Sequence, residues 1–452
     1  MVAYVKAYGC QMNLYDAELI KSIMRDHHYS LTNDENEADI FMLVTCSVRK
    51  HAEVRALGRI SALRRLKSQK PGRLIVVAGC MAQNLKDQLV TYGADLIVGP
   101  DQYRQIPALI ATCQVSKNSQ TRTEFSLESY DGIIPQADGR LTAFVAIMRG
   151  CNNFCSYCIV PSVRGPERSK KSDEIFKEIS TLSGSGVKEI TLVGQNVLAY
   201  NDGRFNFIEL IEYINELPGI DHLRFITSHP RDLTLPILER LSRLKKFCPA
   251  LHLPLQSGSN RILTLMNRGY TKERYLDLVA GARSLLPDGA LTTDIIVGFP
   301  SESDDDFNET MAVIEKVRFD FGYLFKYSPR AGTHATTMGN DVPETVKQNR
   351  LSRLLERQNT ITKETNLALL GKTVPVFIEG KNRRDQCLRG RTKNNKIVII
   401  NGSSSLETSV PEAGVLETNA LVSSAMVGRT IDVVITRLAG WTLIGELKGG
   451  QE

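Results

Sequence analysis

The chain has 452 residues, 42% of them hydrophobic and 23% charged, which excludes intrinsic disorder and collagen and, at roughly 150 residues per domain, predicts about three domains. Lys and Arg number 56 against 50 Asp and Glu, and the net charge of +6 is too modest by itself to identify a nucleic-acid binder. No apolar run reaches the roughly 18 residues that span a membrane, and the N-terminus lacks the basic, apolar and small-residue order of a signal peptide, so a cytoplasmic protein is expected.

Residues 1–116 alternate apolar runs with helical patterns. The runs VAYVKAY, DIFMLVT, RLIVVAG and DLIVG read as strands of a parallel sheet in an α/β domain. Nine cysteines in a reducing compartment point away from disulfides and toward metal, redox or burial roles. Three of them, Cys10, Cys46 and Cys80, stand just past the ends of the first three strands, at intervals of 36 and 34 residues. Right-handed crossovers bring such loops to one edge of the sheet, where the three thiols are expected to meet. Between Ser47 and Arg73 nine Lys and Arg oppose Glu53 alone, as either a solvated helix face or a polyanion contact. Residues 117–140 are polar and read as a linker.

From residue 141 to 368 the βα rhythm resumes. Strands are expected at Thr142 to Met148, Glu189 to Val193, His222 to Thr227, Ala250 to Leu255, Leu291 to Val297 and Phe321 to Tyr327, which predicts a partial (β/α)6 barrel. Chemistry in such folds collects in the loops after the strands, here RGCNNFCSYC, GQN, TSHP, QSGS, GFP and SPRAGT. From 369 to 448 short strands without helices predict a small antiparallel β-barrel of a kind that binds oligonucleotides, with residues 401–424 as a loop. Between Lys347 and Lys396 thirteen basic residues oppose four acidic ones. Lys381, Arg383, Arg384, Arg389, Arg391, Lys393 and Lys396 fall on strand-like segments where like charges repel unless a polyanion is present, and are RNA-contact candidates.

The spacing Cys151-x3-Cys155-x2-Cys158 sets three thiols in one loop. Three thiolates leave a structural zinc site one ligand short, and no His stands nearby, but they can hold a cubane iron–sulfur cluster with one open iron. The other triad, Cys10, Cys46 and Cys80, also lacks a fourth partner. Two open irons suit the assembly of two reactants. Arg149, Arg164 and Arg168 flank the loop and are candidates to meet phosphate or carboxylate. Cys113, Cys248 and Cys387 are expected to be structural.

CNNFCSYC resembles the signature of radical S-adenosylmethionine enzymes, and AYGCQMN, VTCS and AGCMA resemble the methylthiotransferase branch of that family. GQNV, LRFITSHP, HLPLQSGS and DIIVGFP are most similar to the bacterial members acting on isopentenyladenosine in tRNA, and the C-terminal region resembles a TRAM domain. The resemblance implies that a C–H bond of an adenosine next to the anticodon is replaced by a methylthio group. It implies two [4Fe-4S] clusters, on Cys10, Cys46 and Cys80 and on Cys151, Cys155 and Cys158, with S-adenosylmethionine as radical source and methyl donor. The substrate is then a tRNA anticodon stem-loop, and an electron donor such as flavodoxin or ferredoxin is needed. A monomer is expected. Tyr157 resembles the family's aromatic beside the cofactor adenine. Gln195, Asn196, Ser228, Gln256, Ser257, Gly298 and Phe299, at the strand ends, are expected to contact cofactor or substrate. Ser162 departs from the aromatic residue common among relatives. Alternatives are a methylthiotransferase for threonylcarbamoyladenosine, one for a ribosomal-protein aspartate, and a non-catalytic iron–sulfur RNA-binding protein.

Overall fold

The computed structural model describes residues 1–339, 341–382, 387–401 and 425–448. The first sheet has six parallel strands, β1 (Val2–Ala7), β2 (Ser30–Thr32), β3 (Ile40–Thr45), β4 (Leu74–Gly79), β5 (Leu96–Val98) and β6 (Gln120–Arg122), in the order β2-β1-β3-β4-β5-β6. Every residue of β3 and β4 is buried, because helices cover both faces and a doubly covered strand must be apolar throughout. Of these helices, α1 (Gln11–Asp26) follows β1, α2 (Lys50–Gln69) follows β3 and α3 (Cys80–Leu85) follows β4.

The four expected strands are joined by two short edge strands, and one of these, β6, lies in the stretch read as a linker. The rest of that stretch is strapped down. Ser126 Oγ donates to Asp101 O at 3.0 Å, and Tyr130 is buried with its ring stacked on Tyr103 at 5.5 Å and its hydroxyl donating to Pro100 O at 2.6 Å. A polar composition conceals such a strap, since its anchors are one tyrosine and backbone groups.

Eight further strands follow, β7 (Thr142–Ala146), β8 (Met148–Arg149), β9 (Arg168–Ser169), β10 (Glu189–Val193), β11 (His222–Phe225), β12 (Ala250–His252), β13 (Ala290–Val297) and β14 (Phe321–Lys326). β7-β10-β11 and β12-β13-β14 are parallel sheets of three strands, joined where Leu223 of β11 bridges Phe247. The six long strands are those expected, in an open βα barrel. In β13, Leu291, Thr293, Ile295 and Val297 are buried while Thr292, Asp294 and Ile296 are half-buried, as period-two alternation requires between helix layer and barrel interior. β8 and β9 form a small antiparallel clasp around residues 150–167.

The helix Glu344–Leu367 leads to a closed barrel of β15 (Thr373–Lys381), β16 (Leu388–Thr392), β17 (Ile397–Ile400), β18 (Thr430–Ala439) and β19 (Thr442–Leu447), ordered β15-β16-β17-β19-β18. One of its pairings, β17 with β19, is parallel, where an antiparallel barrel was expected. Arg383, Arg384 and residues 402–424 lie outside the described residues. Among the described residues no helix is long and apolar enough to cross a membrane.

The barrel docks against the amino-terminal ends of the central strands. Glu189, first residue of β10, accepts from Arg224 Nε at 2.8 Å and from Arg391 Nη2 at 2.9 Å, and Arg224 also donates to the backbone carbonyls of Thr392 and Lys393. The Phe377 ring stands edge-on to His222 at 4.9 Å. Replacing buried Arg224 with Met strips Glu189 of one of its two cations and should cost about 3 kcal/mol in urea unfolding. Arg204→Ala, which breaks an exposed pair with Asp173, should cost about 0.5 kcal/mol at most.

Candidate functional site

Three adjacent strands present the first triad. Cys10 caps α1 after β1, Cys46 follows β3, and Cys80 opens α3 directly after β4. Ala7 is opposite Val44 and Thr45 is opposite Gly79, so the three thiols emerge at one sheet edge, as expected from the spacing. Two glycines permit the approach. A Cβ on Gly9, at φ +126°, would stand 2.3 Å from Cys46 Cβ, and one on Gly79, at φ +95°, would stand 2.7 Å from Thr45 O. A hydrogen bond from Cys46 holds the Cys10 thiol well below its ordinary range and raises Cys46 in turn, while burial raises Cys80.

The second triad lies in one turn after β8. Gly150, at φ +77°, has Pro166 O 1.9 Å from where a Cβ would be, and Cys158 N donates to Cys155 O at 2.9 Å. Burial, then the neighbouring Cys155 charge, pushes Cys158 up to about 12, and burial raises Cys151.

A positive charge buried beside a thiol favours its thiolate, the form that binds metal. Each triad has such a charge. Arg164, 2% exposed, donates Nε–H to Cys80 Sγ at 3.0 Å, and Arg268, 4% exposed, donates Nη1–H to Cys155 Sγ at 3.2 Å. Arg268 otherwise bonds Tyr157, Tyr270 and Pro254 O, and among the described residues no carboxylate pairs with it. Arg164 and Arg149 share one carboxylate, Asp16, at 2.7 and 3.0 Å. Each triad is therefore accompanied by one buried positive charge in excess.

The donor sets fit iron–sulfur cubanes. A dipositive cubane core with three thiolates carries one net negative charge, which one excess guanidinium balances. Among the described residues no three His, Cys, Asp or Glu side chains are drawn together around a single metal ion, as zinc with bonds of about 2.3 Å would require. Thiolates of a cubane bind separate irons and stand further apart.

The strand-end loops divide. Gln195 Oε1 and Gln256 Oε1 are buried without a hydrogen-bond partner and remain available to a ligand, and so are Asp294 Oδ1 and His229 Nε2. His229 Nδ1 accepts from Arg231 N, which leaves the proton on Nε2, and burial holds the ring neutral at about 2. The other expected contacts are engaged within the protein. Asn196 donates to Asp232 at 2.6 Å and accepts from His229 N, and Ser228 donates to His252 O at 2.5 Å. Ser257 meets Thr310 at 3.4 Å in the interior, Gly298 N donates to Glu302 at 2.6 Å, and Phe299 packs edge-on to Tyr327 at 5.5 Å. Tyr157 packs against that same cluster and accepts from Arg268 at 3.4 Å.

Arg149, Arg164 and Arg168 meet carboxylates, those of Asp16 and Asp101. Among the RNA-contact candidates, Lys381, Arg389 and Lys393 are exposed. Arg391 and Lys396 have another use, since they pair with Glu189 and Glu379 and with Asp320 in and beside the docking seam. Sequence reasoning missed Asp16, Arg268, His229 and Asp294. A signal existed for Asp16, because Met12, Tyr15, Asp16, Leu19, Ile20 and Ile23 form one buried helical stripe whose charged member it is.

Residues 145–314 match the Radical SAM superfamily, residues 2–99 the Uncharacterized protein family UPF0004 and residues 368–448 the TRAM domain. The chain is 41% identical, over 98% of its length and 90% of the relative's, to the tRNA-2-methylthio-N(6)-dimethylallyladenosine synthase of Acetivibrio thermocellus. It is 45% identical, over 88% of each chain, to the synthase of that name from Syntrophus aciditrophicus. The solved structure of the radical S-adenosylmethionine methyltransferase TsrM from Kitasatospora setae has the same fold over 72% of each chain, at TM-score 0.52 and 11% identity.

Gly150→Ala forces a Cβ onto Pro166 O in a left-handed backbone and should lower the melting temperature and the iron bound at the second triad, with the first triad retained. Iron analysis of this variant beside Gly139→Ala, also at positive φ but with open space around it, checks the effect of contact against that of φ alone.

Proposed function

The chain belongs to the tRNA-2-methylthio-N(6)-dimethylallyladenosine synthase family of radical S-adenosylmethionine enzymes, and on that premise we propose how its residues divide the work. It installs a methylthio group at C2 of N6-isopentenyladenosine next to the anticodon of tRNA, with two [4Fe-4S] clusters and S-adenosylmethionine as cofactors. We assign residues 1–116 to the methylthiotransferase domain, 117–140 to the connecting strap, 141–368 to the radical core and 369–448 to the RNA-binding barrel.

Cys151, Cys155 and Cys158 hold the cluster that binds S-adenosylmethionine, and Cys10, Cys46 and Cys80 hold the other. The observation that carries this assignment is the buried guanidinium bonded to one thiol of each group, Arg164 at Cys80 and Arg268 at Cys155. When bound, one cluster would supply the electron that cleaves S-adenosylmethionine and the other would present the sulfur that is transferred. The protein's part is positioning. Arg268 ties the second triad to the ends of β12, through Pro254 O, and to Tyr270. Gln195, His229, Gln256 and Asp294 offer one donor and three acceptors to the polar groups of cofactor and base. Hydrogen-atom abstraction by a carbon radical needs no acid/base pair, and none is assigned.

The target base must be unstacked to reach a site on strand ends, and an anticodon loop supplies unpaired bases. Lys381 and Arg389 grip the phosphates, while Lys393, whose Nζ donates to Lys245 O at 3.4 Å, joins Arg391 and Lys396 in holding the barrel in place. The electron comes from a flavodoxin- or ferredoxin-type donor, and the enzyme works as a cytoplasmic monomer.

Nucleoside mass spectrometry of tRNA from a bacterial host lacking its own methylthiotransferases tests the assignment. Expression of the chain should produce methylthiolated isopentenyladenosine, and Cys10→Ala or Cys155→Ala should abolish it. Product on threonylcarbamoyladenosine instead would overturn the substrate. For binding, Lys381→Ala and Arg389→Ala should each reduce the slope of log affinity against log salt by about 1. Arg391→Ala should leave that slope unchanged and lower stability.

A further inference from the structure

Asp16 is wholly buried on α1, six residues after Cys10, and it touches both ends of the second cysteine loop. Its Oδ1 accepts from Arg149 Nη2 at 3.0 Å, two residues before Cys151, and its Oδ2 is 2.7 Å from Arg164 Nη2, six residues after Cys158. Arg164 in turn reaches Cys80 and, at 3.2 Å, Asn13 Oδ1. One carboxylate from the first sheet therefore grips the base of the loop that carries the second triad, and one guanidinium from that loop rests on the first triad. Tyr103 donates its hydroxyl to Asp16 at 3.1 Å, and the Arg149 guanidinium lies 4.7 Å from the Tyr130 ring, so the clasp is braced by the strap described above. Cys80, Ile159 and Val163 close the apolar side.

We propose that Asp16 is a positioning residue that fixes the separation and orientation of the two cluster sites through Arg149 and Arg164. The inference rests on the assignment of one cluster to each triad. Bonds to both ends of a loop leave it little freedom to rotate, and the guanidinium on Cys80 ties that loop directly to the first triad. The consequence is for transfer rather than for radical generation, because only transfer needs both sites in register. A displacement of about 1 Å between reacting groups can cost about 100-fold in rate.

Burial raises the proton affinity of Asp16, but Arg164 and Arg149 outweigh it and keep the carboxyl ionised. Asp16→Asn removes that charge while preserving shape, and Arg149→Lys keeps the charge but loses the planar fork. The full chain with both clusters reconstituted would be compared with each variant by two readouts. The first is the magnetic interaction between the two reduced clusters in electron paramagnetic resonance, and the second is 5′-deoxyadenosine formed per methylthiolated nucleoside.

The expected result is a weakened or heterogeneous magnetic interaction, with a several-fold rise in 5′-deoxyadenosine per product. Unchanged interaction and unchanged ratio in the doubly loaded variants would overturn the proposal, even if fewer molecules load, since a merely structural residue changes only yield. Should Asp16→Asn fail to fold, Arg149→Lys decides by the same criteria. A wild-type protein that loads fewer than two clusters would instead refute the assignment on which the inference rests.

Discussion

A cubane held by three thiolates keeps one net negative charge, and balancing it away from solvent is the electrostatic requirement that organises the two cysteine groups and the segments between them. Arg164 and Arg268 bring the charge, and each is itself costly to bury. The solutions differ. Among the described residues Arg268 stands without a carboxylate and relies on Tyr157, Tyr270 and a carbonyl, whereas Arg164 is paired with Asp16 and offset by the second cation, Arg149. Both arrangements leave one positive charge in excess beside three thiols.

The same requirement explains why the first sheet and the open barrel are not independent bodies. The arginine at the first triad comes from the second loop, and the carboxylate that holds it comes from the first helix. Further contacts reinforce the joint, for Arg330, beyond β14, pairs with Glu53 of α2 at 3.1 Å and donates to Val48 O at 3.0 Å. Arg49 lies over the rings of Tyr323 and Phe325 at 5.6 and 5.8 Å. Part of the basic stretch from Ser47 to Arg73 is thus consumed in packing, and Arg59, Lys67 and Lys70 pair with carboxylates of their own sheet domain.

A similar division applies to the C-terminal barrel. Its basic text suggested one continuous grip on a polyanion, but the hairpin of β16 and β17 is pressed onto the amino-terminal ends of the central strands. There Glu189 and Asp320 take up Arg391 and Lys396. These strand ends are opposite to the ends that carry the cysteines. The RNA path proposed from the exposed cations Lys381 and Arg389 therefore runs along the flank of the central barrel to reach the site.

Sequence by itself determined the chain's periodic features. Apolar runs at period two or unbroken, separated by helical text, gave the strands and their parallel order, because strand and helix periods are local properties of the backbone. The six cysteines were legible for the same reason: Cys10, Cys46 and Cys80 recur one βα unit apart, and Cys151, Cys155 and Cys158 share one turn. Tertiary structure alone decided which polar side chains remain free. Gln195 and Gln256 keep unpaired oxygens while Asn196, Ser228 and Ser257 do not, and Asp16 rather than any phosphate meets Arg149 and Arg164. A polar residue's availability depends on partners from 24 to more than a hundred residues away in the chain, and no local pattern encodes them.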